Sequence, residues 1–299
     1  MRRIVECVPN FSEGRRREVV DAIADAARGV AQVTVLDVEM DPNHNRSVLT
    51  FVGPPDAASE AAFRTARKAL ELIDMNVHRG EHPRIGALDV LPFIPISGVT
   101  MEDCVQLARE TGKRIAEELG IPVYLYEAAA TRPERKALPD LRKGEYEGLK
   151  KEIRTNPERA PDFGKPELHP TAGACVVGAR PPLIAYNVNL ATTDVKVAKR
   201  IAKLVREKDG GLPAVRALGF ELKGRGLVQV SMNLVNYKVT SIEMSFDTVS
   251  SHAAKIGVRV VASEIVGLVP RDSLPPDPVT RLKLEAFDPR QILENRLAA

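Results

Sequence analysis

The feature that most constrains this chain is a rhythm that runs twice. Residues 4–8 read as a short apolar strand, and Pro9-Asn10-Phe11-Ser12-Glu13 follows, with Ser12 placed to cap a helix. Val19, Val20, Ile23, Ala24 and Ala27 then recur at helical spacing. Residues 32–38 are rich in β-branched side chains, Asp41-Pro42-Asn43-His44-Asn45 is a turn cluster, and residues 47–52 return as a strand. A second helix opens at Pro54-Pro55-Asp56 and runs through Ala58, Ala62, Ala66, Ala69, Leu70 and Ile73, and residues 87–95 close the unit as a strand. The order β-α-β-β-α-β is the split βαβ, or ferredoxin-like, pattern.

The second half repeats it. Strand 183–188 leads to helix 193–205, and strands 215–222 and 227–234 flank the hairpin turn Lys223-Gly224-Arg225-Gly226. Helix 240–256 and strand 258–266 complete the unit. Asn10-Phe11 and Asn189-Leu190 fall at the same joint, where a first strand ends before a first helix. The expected fold class is therefore α/β (α+β), with two ferredoxin-like βαββαβ subdomains. An open sheet has a face to bury, and sheets packed against each other with helices outside would bury both. Between the repeats lie helix 100–119, strand 121–126 and a charged, proline-rich stretch over 128–173 with a helical piece at 146–153. That stretch reads as a linker or a substrate loop. The expected organisation is an N-terminal subdomain 1–178, a C-terminal subdomain 179–270 and a tail 271–299 that ends in a short helix for docking or an oligomer contact.

Composition narrows the function. The net charge of +3, with acids interspersed among the bases, argues against nucleic acid as a partner. Cys7, Cys104 and Cys175 are far apart and form no Cys-x-x-Cys, which argues against a disulfide framework or a structural zinc. No run of about 18 apolar residues exists to span a membrane, and the apolar run at the N-terminus is too short for a signal peptide. The cytoplasm is the expected compartment.

The densest chemistry lies in His78-Arg79-Gly80-Glu81-His82-Pro83-Arg84-Ile85-Gly86. His-x-x-Glu-His is a zinc-site spacing, but it needs a helix. Gly80 inside the segment and Pro83 behind His82 oppose one. A surface loop and an active-site loop remain, and a histidine flanked by Glu81 and Arg84 suits general acid–base work near neutral pH. In Asp37-Val38-Glu39 the period of a strand puts both carboxylates on one face, opposite Val38. That face is either a cleft or an exposed hairpin end. The run Asp162-Phe163-Gly164-Lys165-Pro166-Glu167-Leu168-His169-Pro170-Thr171-Ala172-Gly173 suits a ligand-wrapping loop or a plain linker. His44 and His252 read as surface or core residues, and no phosphate-binding glycine fingerprint is present.

Four stretches are similar to a known family. They are Val5-Glu6-Cys7-Val8-Pro9-Asn10-Phe11-Ser12-Glu13-Gly14, then Gly80-Glu81-His82-Pro83-Arg84-Ile85-Gly86-Ala87-Leu88-Asp89-Val90 leading into Pro92-Phe93-Ile94-Pro95, then Gly144-Glu145-Tyr146-Glu147, then Ala160-Pro161-Asp162-Phe163-Gly164. Together they resemble the glutamate formiminotransferases over residues 3–270. The resemblance implies transfer of the formimino group of N-formimino-L-glutamate to N5 of tetrahydrofolate, releasing L-glutamate in histidine breakdown. It implies tetrahydrofolate as co-substrate, no metal, a homodimer, and a stand-alone transferase served by a separate cyclodeaminase. His82 matches the catalytic histidine, and Gly164 to Gly173 matches the folate loop. Around His82, Asp37 or Glu39 would orient the ring or stabilise a cationic amidine, and Arg46 and Arg84 would receive substrate carboxylates. Rival readings are an N-formylglutamate donor, a 5-formyltetrahydrofolate cyclising enzyme, a silent folate-binding protein and a zinc hydrolase.

Overall fold

The computed structural model describes residues 3–222 and 224–297, so Lys223 of the hairpin turn lies outside the described residues. The chain divides into two compact units, Met1–Arg180 and Pro181–Ala299. In the first, β1 (Ile4–Cys7) and β2 (Asn10–Phe11) make one first strand broken around Pro9, where a ladder donor is missing. Then come α1 (Arg17–Arg28), β3 (Thr34–Asp41), β4 (Arg46–Gly53), α2 (Pro55–Leu72) and β5 (Leu88–Ser97). β4 pairs with β3 on one side and with β1 and β2 on the other, and β1 and β2 pair onward to β5, all antiparallel. This is the expected ferredoxin-like order. α3 (Met101–Leu119) and β6 (Val123–Glu127) follow, and β7 (Cys175–Ala179) inserts between β5 and β6, parallel to both. The described sheet thereby reaches seven strands.

Alternation along these strands divides the core. Cys7, Phe11, Leu49, Phe51, Leu91 and Phe93 face α1, α2 and α3. Along α2 the buried face is largely alanine, at Ala58, Ala61, Ala62, Ala66 and Ala69, so the helix can lie close to its neighbours. α3 is held at its start by a capping box between Thr100 and Asp103. Ser12 does not cap α1, which begins five residues further on, after Arg16. Its hydroxyl is drawn instead to a distant partner, donating to Gly86 O at 2.7 Å. The Glu13 carboxylate takes over part of the capping by accepting from Arg15 N and Arg16 N at 2.9 and 3.0 Å.

The proline-rich stretch is folded rather than extended. α4 (Leu138–Leu141) and α5 (Glu145–Glu152) bring Leu141, Leu149 and, just beyond, Ile153 onto Ile85, Val90, Tyr124, Tyr126 and Val176, a second cluster on the sheet face turned away from α3. Those strand positions alternate with the ones that face the helices.

The second unit contains β8 (Ile184–Leu190), α6 (Val195–Val205), β9 (Val215–Leu222), β10 (Leu227–Leu234), α7 (Ile242–Ala254) and β11 (Val260–Val266). Its strand order β11-β8-β10-β9 is again ferredoxin-like and antiparallel. Tyr186, Val188, Val228, Val230 and Met232 pack under α6 and α7. Asp194 and Ser241 cap those helices. The tail, through α8 (Pro278–Leu282) and α9 (Leu293–Leu297), docks on this unit. Ser263 N donates to Lys283 O and Leu293 N to Val269 O, and Leu282, Leu284 and Leu293 are buried. Among the described residues no helix is long and apolar enough to cross a membrane.

Phe93 is fully buried in the larger cluster. Phe93→Ala is expected to cost about 3–5 kcal/mol, read as a lower urea midpoint with an unchanged slope.

Candidate active site

The sheet face of the first unit that is turned away from α1 carries the polar residues. Glu39 pairs with Val48, Asp41 with Arg46, and Asn10 also with Val48. Val38 packs in the core, so Asp37 and Glu39 share the outer face as their spacing requires. A cleft of about 540 Å³ opens there, lined by Glu39, Met40, Asp41, His44, Arg46, Val48 and His82.

A buried carboxylate organises the floor. Asp89 is fully buried at the start of β5. Its Oδ1 accepts from Ile85 N at 2.8 Å, and its Oδ2 accepts from Arg46 Nη1 at 2.9 Å and from Arg142 Nη2. Burial alone would raise its pKa, but Arg142, Arg46 and the Ile85 N–H outweigh burial and hold the carboxyl below its usual range. Arg46 is fixed from the other side by Asn10, whose Oδ1 accepts from Nε at 3.1 Å and from Nη2 at 2.7 Å.

His82 sits half-buried against this guanidinium. Its Nδ1 lies 2.7 Å from Pro83 O and 3.1 Å from Arg46 Nη1. A single ring nitrogen cannot donate to one and accept from the other. The shorter contact places the hydrogen on Nδ1, toward Pro83 O, and leaves the lone pair on Nε2. Burial, with Arg46 and Arg142 adding to it, pushes the His82 pKa down from 6.5 to about 4. The ring is therefore neutral near pH 7, with a basic nitrogen available. His44 stands edge-on to it, with ring centroids 6.1 Å apart, and is itself held by Asp41 Oδ2 at 2.6 Å. Glu39 has its pKa raised, by burial first and then by neighbouring Asp37.

The histidine loop is zipped to the 164–173 segment. Ala87 N donates to Ala172 O at 2.8 Å and Ala174 N to Ile85 O at 3.0 Å. The approach is so close that a Cβ on Gly86 would lie 1.8 Å from Ala174 O, and one on Gly173, at φ +73°, would lie 2.4 Å from Ile85 O. Within the segment, His169 and Gly173 exchange backbone hydrogen bonds, and His169 Nδ1 accepts from Ala172 N at 3.1 Å. Gly164, Lys165, Pro166, Glu167 and Pro170 are exposed, Leu168, His169 and Thr171 are half-buried, and Ala172 is buried.

Of the residues the sequence singles out, His82, Glu39 and Arg46 line one cleft, with Asp37 next to Glu39 on the same face. Arg84 goes elsewhere. Its guanidinium is buried and clasped by Glu145 at 2.7 Å and Glu147 at 2.7 and 2.9 Å, so it ties α5 to the histidine loop. His78 and His82 share no helical face, because residues 78–86 form a loop. His78 Nε2 donates to Asn45 O and its Nδ1 accepts from Arg84 Nε. Sequence reasoning missed Asp89, Arg142 and the cleft position of His44. An acid within the apolar run Ala87-Leu88-Asp89-Val90-Leu91 carries a signal, since a buried carboxylate needs cations. Arg142 carries none.

The fold and the cleft define a two-subdomain α/β protein whose first unit carries a polar cleft lined by Glu39, Arg46 and His82. Residues 4–180 match the N-terminal subdomain of the formiminotransferase domain, and residues 185–276 match the formiminotransferase domain. The chain belongs to the formiminotransferase family. It is 52% identical to a glutamate formimidoyltransferase of Thermoplasma acidophilum over 98% of this chain and 97% of that one. A Streptococcus pyogenes glutamate formimidoyltransferase is 46% identical over 99% of both chains. A formimidoyltransferase-cyclodeaminase of Sus scrofa is 48% identical over 92% of this chain but only 51% of its own length.

Because the folded-state pKa of His82 lies near 4 and the unfolded value near 6.5, the unfolded chain takes up the proton first as pH falls. The stability that rests on neutral His82 is complete above about pH 6.5 and is lost as pH falls toward 4. His82→Gln, which cannot titrate, is expected to flatten that part of the stability–pH curve, measured by urea unfolding from pH 4 to 8.

Proposed function

We propose that the protein transfers the formimino group of N-formimino-L-glutamate to N5 of tetrahydrofolate and releases L-glutamate, with His82 as the acid–base residue. The observation that carries the reading is a neutral imidazole with a free Nε2 at a cleft that also presents the Glu39 carboxyl. N5 attacks the amidine carbon and forms a tetrahedral species. His82 Nε2 takes the proton from N5, and the resulting imidazolium returns it to the glutamate nitrogen as the C–N bond breaks. One ring serves both steps because it gains and loses a proton in turn. The imidazolium is disfavoured beside Arg46, which drives the proton onward to the leaving amine. Arg46 is here a positioning residue, since Asn10 and Asp89 accept from its N–H groups.

Glu39 and Asp37 face a cationic amidine better than a neutral formamide, which favours the formimino donor over N-formylglutamate. The 164–173 loop, tied to the histidine loop, is the folate-binding element. Held together, donor and acceptor react as a local pair and not by diffusional encounter. The protein works in the cytoplasm as a homodimer.

His82→Ala should lower kcat for glutamate release by about 10²–10⁴-fold with the unfolding midpoint near that of the parent. A folded His82→Ala protein with near-normal turnover contradicts the assignment. Release mainly from N-formylglutamate contradicts the donor.

A further inference from the structure

The cleft of the first unit holds a second imidazole that has no part in the proton transfers above. His44 lies in the turn between β3 and β4 and lines the cleft together with His82. The turn is built on one carboxylate. Asp41 Oδ1 accepts from Asn43 N and His44 N at 2.9 Å each, the local bonding that makes Asp a turn former, and Oδ2 lies 2.6 Å from His44 Nδ1. Burial acts to raise the Asp41 pKa, but the bonds and charge of His44, with the Asn43 N–H, outweigh it and hold the carboxyl below its usual range. An ionised carboxylate can only accept. The hydrogen between the two groups therefore belongs to Nδ1, and the neutral ring keeps its lone pair on Nε2. That nitrogen has no partner among the described residues.

His44 and His82 are thus alike in tautomer and opposite in surroundings. Each donates through Nδ1, to Asp41 Oδ2 and to Pro83 O, and each keeps Nε2 free. His82 stands beside the Arg46 guanidinium, and His44 beside a carboxylate. The ring centroids are 6.1 Å apart with the planes at 74°, so both rings reach a one-carbon group held between them. In the proposed reaction His82 serves the attacking and leaving nitrogens. The carbon carries one further atom, and that atom alone separates two donor classes. In a formimino group it is a nitrogen bearing hydrogens. In a formyl group it is an oxygen bearing lone pairs. Glu39 and Asp37 supply attraction for a positive charge, whereas a lone pair fixed in direction reads the polarity of a hydrogen bond.

We propose that His44, held as an acceptor by Asp41, is the residue that selects the formimino donor against its formyl counterpart. Its Nε2 accepts from the terminal N–H of the amidine and meets a formyl oxygen lone pair to lone pair. The proposal rests on the formiminoglutamate reading above and names the residue behind its donor preference. His44 takes no proton, and every proton transfer stays with His82. Such selection works by repulsion of the wrong donor as well as by attraction of the right one. A site built to bond a substrate N–H rejects the analogue that lacks it.

The test measures, at pH 8 and saturating tetrahydrofolate, the KM for formiminoglutamate and the Ki of N-formylglutamate as its competitor, in the parent, His44→Gln and Asp41→Asn. The side chains of His44 and Asp41 are 47% and 48% exposed, so neither change disturbs the core. In His44→Gln the amide turns either way and offers a donor or an acceptor. In Asp41→Asn, Oδ1 keeps the two backbone bonds while the new amide donates to Nδ1, which moves the ring hydrogen to Nε2 with His44 still in place. N-formylglutamate should bind more tightly to both variants, and the ratio of its Ki to the KM should fall about tenfold in each. Nitrogen-15 NMR of the histidine side chains should show the His44 hydrogen on Nδ1 in the parent and on Nε2 in Asp41→Asn. Lost charge or lost local packing would weaken the formimino donor without tightening N-formylglutamate. A Ki that does not fall in either folded variant, or a parent that binds both compounds equally, therefore overturns the selection and leaves the His82 chemistry intact. A parent that releases no glutamate from formiminoglutamate overturns the underlying reading, and the selection with it.

Discussion

The buried carboxylate of Asp89 is the interaction on which the cleft depends. It sits where β5 begins, and it gathers one backbone N–H and two guanidinium groups from three parts of the chain: the histidine loop at Ile85, the start of β4 at Arg46 and the segment after α4 at Arg142. A lone buried carboxylate would be costly, and so would either arginine without it. Together they hold Arg46 beside His82, and burial, with the charges of Arg46 and Arg142 adding to it, keeps the imidazole unprotonated. The backbone of the same loop is fixed from the other side by its ladder to Ala172 and Ala174, with glycines where no Cβ fits. The Asp89-anchored arginines therefore contribute both to the position of the histidine and, after burial, to its protonation state.

A duplicated sheet supplies two similar platforms, and the side chains placed on them differ in kind. The first is ionic, with Glu39 and Arg46 on its outer face. The second is amide-rich and partly aromatic, with Asn189, Gln229 and Phe220 in one row. The fold alone dictates neither set, since a ferredoxin-like sheet is a scaffold for many chemistries. The rows of outward-facing residues decide.

Much of this is legible in the sequence because it follows from local periodicity. The doubled βαββαβ order, the shared face of Asp37 and Glu39 and the shared joint of Asn10 and Asn189 need only the two-residue strand period and the helical repeat. The loop around His82 is legible because Gly80 and Pro83 forbid a helix. What escapes depends on partners far away in the chain. Ser12 has the chemistry of a cap, but its hydroxyl is claimed by Gly86 O, 74 residues on. Arg84 looks available for a substrate carboxylate, yet Glu145 and Glu147 reach it from α5. Arg142 gives no local sign that it belongs to the site. The low proton affinity of His82 cannot be read from its flanking Glu81 and Pro83, because Arg46 and Arg142 impose it together with burial.

The pH dependence of kcat/KM for formiminoglutamate, measured from pH 4.5 to 8 at saturating tetrahydrofolate, tests the central claim most directly. It reports the essential base of the enzyme before the donor binds. With the His82 pKa held near 4, the rate constant should stay level through pH 6.5 and fall only below about pH 5. A half-maximal point at 6.5, the ordinary value for imidazole, would mean that burial and the Asp89-anchored arginines do not set the protonation of the essential base, and that His82 as described is not that base.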